Sequence, residues 1–76
     1  MAAIYQYFKK EFEANKILVR INPTTFDGLE LLISETGEIS KTSREFDESI
    51  YQELDIDEFI TASPLEFNLY LADTAK

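Results

Sequence analysis

Apolar and polar residues alternate along two neighbouring stretches in the first half of the chain. In the first stretch, Ile17, Val19 and Ile21 lie on one side of an extended backbone, and the second stretch alternates in the same way from Leu29. Alternation with a period of two is typical of strands with one buried face, and β-branched residues favour strands. A more polar third stretch follows a Glu-Thr-Gly turn that ends at Gly37. The pattern therefore predicts an antiparallel meander with strands at residues 16–22, 29–34 and 38–46.

Helical spacing is found on both sides of the predicted meander. Ile4, Phe8 and Phe12 are spaced by four residues, so they would form one stripe on a helix. Near the other end of the chain, Ser63 and Pro64 are typical of the cap and the first position of a helix. The predicted helices are residues 2–14, a segment from residue 48, a short segment from residue 55 and a last segment from residue 64.

Capping residues support the two helices predicted between the meander and the last helix. Asp47 can cap the helix that begins after it, and the spacing of Asp55 and Glu58 matches a capping box that would start another short helix. The side of the last helix predicted to face the sheet consists of Leu65, Leu69 and Ala72.

These elements predict a single α+β domain over residues 1–76. It consists of an N-terminal helix, a three-stranded antiparallel meander and two or three C-terminal helices packed on one face of the sheet. A chain of 76 residues is near the lower limit of what folds alone.

The side-chain inventory restricts the chemistry that the chain can perform. It contains no histidine and no cysteine, so it lacks the most common general base, the thiol nucleophile and the imidazole metal ligand. No glycine-rich phosphate loop is present, and no residue is predicted to be catalytic or to bind a metal or a cofactor. We therefore expect a protein that is not an enzyme.

The net charge indicates which partners the chain could bind, because this charge is large and unevenly distributed along the sequence. The net charge is −8, yet the first twenty residues hold four bases against two acids. Residues 45–58 contain seven acids and no base. The acidic balance argues against nucleic-acid binding and allows a basic protein partner, with Asp55, Asp57 and Glu58 as candidate contacts. Helix capping and solvation are the alternative explanation of these acids.

Four apolar residues are predicted to form an exposed contact surface. Leu18 and Leu32 lie on the sides of their strands that are otherwise polar, and Phe67 and Leu71 lie on the side of the last helix predicted to face away from the sheet. Such a surface would bind another protein or a second copy of the chain as a homodimer.

The sequence thus predicts a small protein-interaction or regulatory domain, and self-association is the simplest form of this prediction. The alternatives are an acidic nucleic-acid mimic that binds a basic protein and a metal-dependent hydrolase that uses carboxylates alone. A cytoplasmic location is expected because cysteine is absent and no signal-like start is seen, and no run is long enough to span a membrane.

Overall fold

The structure, a computed structural model, describes residues 4–74 and has an antiparallel sheet at its centre. Five strands are arranged in the order β4-β3-β2-β1-β5, so the first four strands form a meander and the short fifth strand joins its β1 edge. The elements in chain order are β1 (Gln6–Phe12), β2 (Asn15–Ile21), β3 (Asp27–Ile33), β4 (Ile39–Glu45), α1 (Ile50–Ile56), β5 (Ile60–Thr61) and α2 (Pro64–Thr74).

The predicted N-terminal helix is wrong, because this segment forms β1; residues 2 and 3 lie outside the described part of the chain. β1 pairs with β2 along its whole length, from Gln6 opposite Ile21 to Phe12 opposite Asn15. The spacing that suggested a helix also fits a strand whose faces are both covered. Tyr7 packs near Phe67 on one side of the sheet, whereas Phe8 packs on the other.

The predicted packing of all helices on one face is also wrong, because β2 is covered on both faces. Leu18 is fully buried and its neighbour Val19 is 3% exposed, although adjacent strand residues point to opposite sides. The cluster around Leu18 includes Phe67 of α2, and the cluster around Val19 includes Leu54 of α1. One helix therefore covers each face.

The predicted short helix after residue 55 is wrong as well, because these residues end α1. The Phe59 amide donates to the Leu54 carbonyl at 2.9 Å and the Glu58 amide donates to the Asp55 carbonyl at 3.1 Å. This is the Schellman pattern of a helix C-terminus, with Glu58 in the left-handed position at φ 65°. Asp55 and Glu58 have the spacing of a capping box, but in the structure they form the C-terminal end of α1. The chain then continues into β5.

The predicted start of the last helix is confirmed, but its predicted inner side is wrong. The Ser63 hydroxyl accepts a hydrogen bond from the Leu65 amide at 3.1 Å, as a cap should. Phe67 is fully buried and Leu71 packs beside the same cluster, whereas Leu65 and Leu69 are exposed. Both pairs are spaced by four residues, so periodicity alone does not distinguish them.

The turns of the meander follow the prediction at one end and depart from it at the other. Gly37 has φ 90° in the turn between β3 and β4, as expected. The Asp27-Gly28 pair is typical of tight turns, but here it lies within β3, which begins two residues before the predicted strand. Gly28 is required there because the ring of Phe46 lies where a Cβ atom would be.

Candidate functional site

A partly open cleft of about 460 Å³ lies between α1 and the sheet. α1 has seven residues, of which only Ile50 and Leu54 are buried, so it leaves part of this face of the sheet uncovered. We call this space the α1-side cleft. Its apolar lining consists of Val19, Phe46, Ile50, Leu54, Ile56 and Phe59.

Three carboxylates line the same cleft. Glu30 comes from β3, Glu53 from α1 and Asp57 from the residue that ends α1. Glu30 is paired with Arg44 at 3.2 Å, whereas neither Glu53 nor Asp57 forms an ion pair within residues 4–74. Both unpaired carboxylates are exposed, and α1 has no basic residue in its last turn. The cleft is therefore apolar inside and negative at its rim.

The C-terminal turn of α1 positions the rim. The Schellman hydrogen bonds reverse the chain after Asp57 and return Phe59 to the core beside Leu54. Ile56 is 69% exposed at the edge of the cleft, because it is two residues from Leu54 and cannot face the sheet with it. That two-residue spacing is the signal in the sequence that could have identified the exposed apolar edge.

The acidic candidates from the sequence do not converge on one point. Asp57 lines the α1-side cleft, and Asp55 lines a second cleft of about 450 Å³ that shares Leu54 with it. Glu58 occupies the left-handed position after Asp57 and lines neither cleft. Of the three candidates, only Asp57 lines the α1-side cleft.

Two of the four residues that were expected to form an exposed apolar surface are buried. Leu18 and Phe67 are fully buried core residues, and Leu71 is half-buried against the same core. Leu32 is 43% exposed, but it lies on the opposite face from Leu18, whose cross-strand neighbour is Leu31. The structure does not bring Leu18 and Leu32 together.

A partly buried ionic cluster connects α2 to the sheet. Lys16 donates to Glu66 at 2.8 Å and Lys9 donates to the other Glu66 oxygen at 3.2 Å. The hydrogen bond from Lys16 lowers the pKa of Glu66, and the hydrogen bond to Glu66 raises the pKa of Lys16. Lys16 also lies 5.2 Å from the centre of the Tyr70 ring. We interpret this cluster as structural, since its charges satisfy one another.

The remaining N-terminal bases are separated by the sheet. Arg20 lies over the Tyr5 ring at 4.5 Å and the Phe67 ring at 5.4 Å, on the α2 side. Lys10 lies on the α1 side, 6.0 Å from the centre of the Phe59 ring. The four bases of residues 1–20 therefore do not form one basic patch.

No group of three or more acidic side chains within residues 4–74 is placed to hold a metal ion. In the same residues, neither helix has the length and apolar character that a membrane crossing requires.

Comparison with known proteins returns no match to a family model, a curated protein or a solved structure. The fold and the site therefore define a class only: a five-stranded antiparallel sheet with one helix on each face and an apolar cleft with an acidic rim.

Proposed function

We propose that this domain is a non-enzymatic protein-interaction module that binds a basic segment of a partner protein in the α1-side cleft. The observation that supports the proposal is the combination of an apolar cleft with two carboxylates, Glu53 and Asp57, that have no basic partner in residues 4–74. An apolar groove alone would leave the partner undefined, whereas its negative rim favours a positively charged one.

The proposed contacts divide between apolar and charged groups. An apolar side chain of the partner would pack on Val19, Leu54 and Phe59, and lysine or arginine side chains beside it would pair with Glu53 and Asp57. Buried apolar anchors supply most of the affinity of such interfaces, and charges at the rim mainly set the association rate and the specificity. The cleft volume of about 460 Å³ lies within the range of ordinary binding pockets.

A binding role rather than a catalytic one rests on the side-chain inventory, since histidine and cysteine are absent. A cytoplasmic location belongs to the same proposal.

The acidic mimic has less support as an alternative, because carboxylates lie at both ends of the sheet as well as on α1. Glu13 and Glu35 follow β1 and β3, which both finish at one end of the sheet. Asp47 follows β4, which finishes at the opposite end. The carboxylate-only hydrolase has no metal-binding acid cluster in the described residues to support it.

Fluorescence anisotropy with a labelled synthetic peptide tests the proposal. The probe is a short peptide with two adjacent leucines flanked on both sides by lysines. We expect the double variant Glu53→Gln/Asp57→Asn to bind it about fivefold to tenfold more weakly than the wild type, because two rim charges are lost.

The matched control is the double variant Glu35→Gln/Glu38→Gln, which removes the same charge at the turn between β3 and β4. It should retain nearly the full affinity of the wild type. Equal losses in both variants would show that only the overall charge attracts the peptide, and this result would reject the cleft as the site.

A further inference from the structure

Beside the α1-side cleft, the same face of the sheet carries apolar side chains that are open to solvent. Ile17 of β2 lies directly opposite Leu32 of β3, and Leu32 is 43% exposed. Phe12 of β1 is 40% exposed on the same face. Ile17 and Leu32 are each two residues from a residue that lines the cleft, Val19 and Glu30, so the two surfaces are continuous. We call Phe12, Ile17 and Leu32 the apolar sheet patch.

The two strands beneath this surface use their backbone groups within the sheet. β2 pairs with β1 and β3, and β3 pairs with β2 and β4, so both strands are hydrogen-bonded along both edges. An extended segment lying on this face would therefore bury its own N–H and C=O groups against apolar side chains without partners, which is costly. A helix pairs these groups internally. The surface therefore favours a helical ligand over an extended one.

We propose that the partner segment binds as an amphipathic helix that lies beside α1 and covers both the α1-side cleft and the apolar sheet patch. This inference rests on the proposed function and adds the conformation of the ligand and a second half of its contact surface. Apolar side chains of the helix pack on Ile17, Leu32 and Ile56, of which Ile56 is 69% exposed at the edge of the cleft. The first four strands, spaced about 4.8 Å apart, are about 14 Å across, so a helix of about ten residues crosses them.

The charges on this face determine which side of the helix is basic. Glu53 and Asp57 are four residues apart and form no ion pair in the described part of the chain, so they match two bases one turn apart on a neighbouring helix. Glu30 is less available, because Arg44 lies 3.2 Å from it. Lys10 of β1 is on the same face and would repel a base placed over β1. The bases of the partner helix therefore belong on the side that faces α1.

Three labelled peptides test the conformation of the ligand by fluorescence anisotropy. The first has leucines at i, i+3, i+4 and i+7 with lysines elsewhere, and the second has the same composition with leucine and lysine in alternation. The third is the first with a proline at a central lysine position, which breaks the helix. The first peptide should bind the wild-type domain at least about tenfold more tightly than either of the others.

Two variants of the domain test the added contact surface. Leu32→Ser and Ile56→Ser should each weaken binding of the helical peptide about threefold to tenfold, because each removes apolar area that the helix covers. Both side chains are exposed in the free domain, so these variants should keep its fold. Leu69→Ser is the matched control, since Leu69 is 62% exposed on α2, at the other face of the sheet. It should bind the helical peptide as the wild type does.

The possible outcomes separate this inference from the proposed function. If the helical and alternating peptides bind equally and both lose affinity in Glu53→Gln/Asp57→Asn, the cleft is the site but the helical ligand is overturned. The inference is also overturned if Leu32→Ser and Ile56→Ser bind the helical peptide as tightly as Leu69→Ser does. If Glu53→Gln/Asp57→Asn binds every peptide as the wild type does, the proposed function fails and the inference fails with it.

Discussion

Three residues with side chains have a backbone conformation in which glycine would be more stable. Glu13, Phe26 and Glu58 all have positive φ, a region that costs residues with a Cβ atom about 1 kcal/mol or more. Glu58 is the best defined of the three, because the hydrogen bonds around it are those of a Schellman motif.

Replacing Glu58 with glycine should stabilise the domain by about 1 kcal/mol, since glycine adopts this conformation without strain. Urea denaturation followed by circular dichroism measures the change. Glu58→Ala removes the same charge and keeps the strain, so it should leave the free energy of unfolding nearly unchanged. Equal effects of the two substitutions would contradict the assigned backbone conformation.

Gly28 should behave in the opposite way to most strand glycines. Replacement of a strand glycine by alanine usually stabilises, but here the added methyl group would overlap the Phe46 ring. We expect Gly28→Ala to destabilise the domain by about 1–3 kcal/mol.

A double-mutant cycle separates this steric effect from others. In the background of Phe46→Ala, Gly28→Ala should be close to neutral, which corresponds to a coupling of about 1 kcal/mol or more. A full loss of stability from Gly28→Ala in that background would show that the ring is not its cause.

At the scale of elements, α2 is held on the sheet by apolar packing and by one ionic cluster. Phe67 supplies the buried anchor, and Glu66 pairs with Lys9 and Lys16, whose side chains are 25% and 21% exposed. Because these groups are partly shielded from water, the cluster should contribute more than a fully exposed pair.

The cluster makes the free energy of unfolding depend on pH, and the direction of each pKa shift gives the direction of this dependence. The pKa of Glu66 is lowered by folding, so its contribution is present above the unfolded value of about 4.3 and is lost as pH falls through the lowered folded value. The pKa of Lys16 is raised by folding, so its contribution is present below about 10.4 and is lost as pH rises above that value.

Glu66→Gln should therefore cost about 1–2 kcal/mol at neutral pH, and the difference from the wild type should shrink steadily below about pH 4. Urea denaturation over a pH series measures it. Glu11→Gln is the control, because Glu11 is 60% exposed and lies 3.5 Å from Lys16, so it should cost less than about 0.5 kcal/mol. A Glu66→Gln deficit that stays constant down to pH 2 would mean that the carboxylate charge is not responsible.

The elements that depend on local signals were predictable, and those that depend on distant partners were not. Alternation and Gly37 located β2, β3 and β4 closely. β1 was missed because residues 4–12 fit both a helical and an extended period, and pairing with β2 decides between them. The same ambiguity reversed the two sides of α2, since only the sheet selects Phe67 over Leu65 as the inner residue.

The candidate site was predictable only in part, for a related reason. The sequence identified the acidic segment that contains Asp57 as a possible docking surface for a basic partner. It did not predict the apolar cleft beside it, because that cleft depends on where α1 lies on the sheet and on how little of the sheet it covers. From the sequence, Leu18 is expected to be exposed because helices are predicted on only one face of the sheet. In the structure α2 covers the other face and buries Leu18.

At the scale of the whole molecule, the two helices place two different surfaces on opposite sides of a thin domain. Its shortest dimension is 19 Å. The α1-side cleft is negative at its rim, whereas the outer side of α2 exposes the apolar side chains of Leu65 and Leu69.

The central proposal for this domain is that a basic partner segment binds in the α1-side cleft. Amide chemical-shift mapping by NMR, with the leucine-lysine peptide added to the wild-type domain, tests this claim directly. Binding in the cleft should give the largest shifts at residues 53–59 and at the facing residues Val19 and Glu30, and these shifts should diminish as salt is raised. Shifts centred on α2 or on the turns of the meander, or shifts of equal size with a glutamate-flanked peptide, would contradict it.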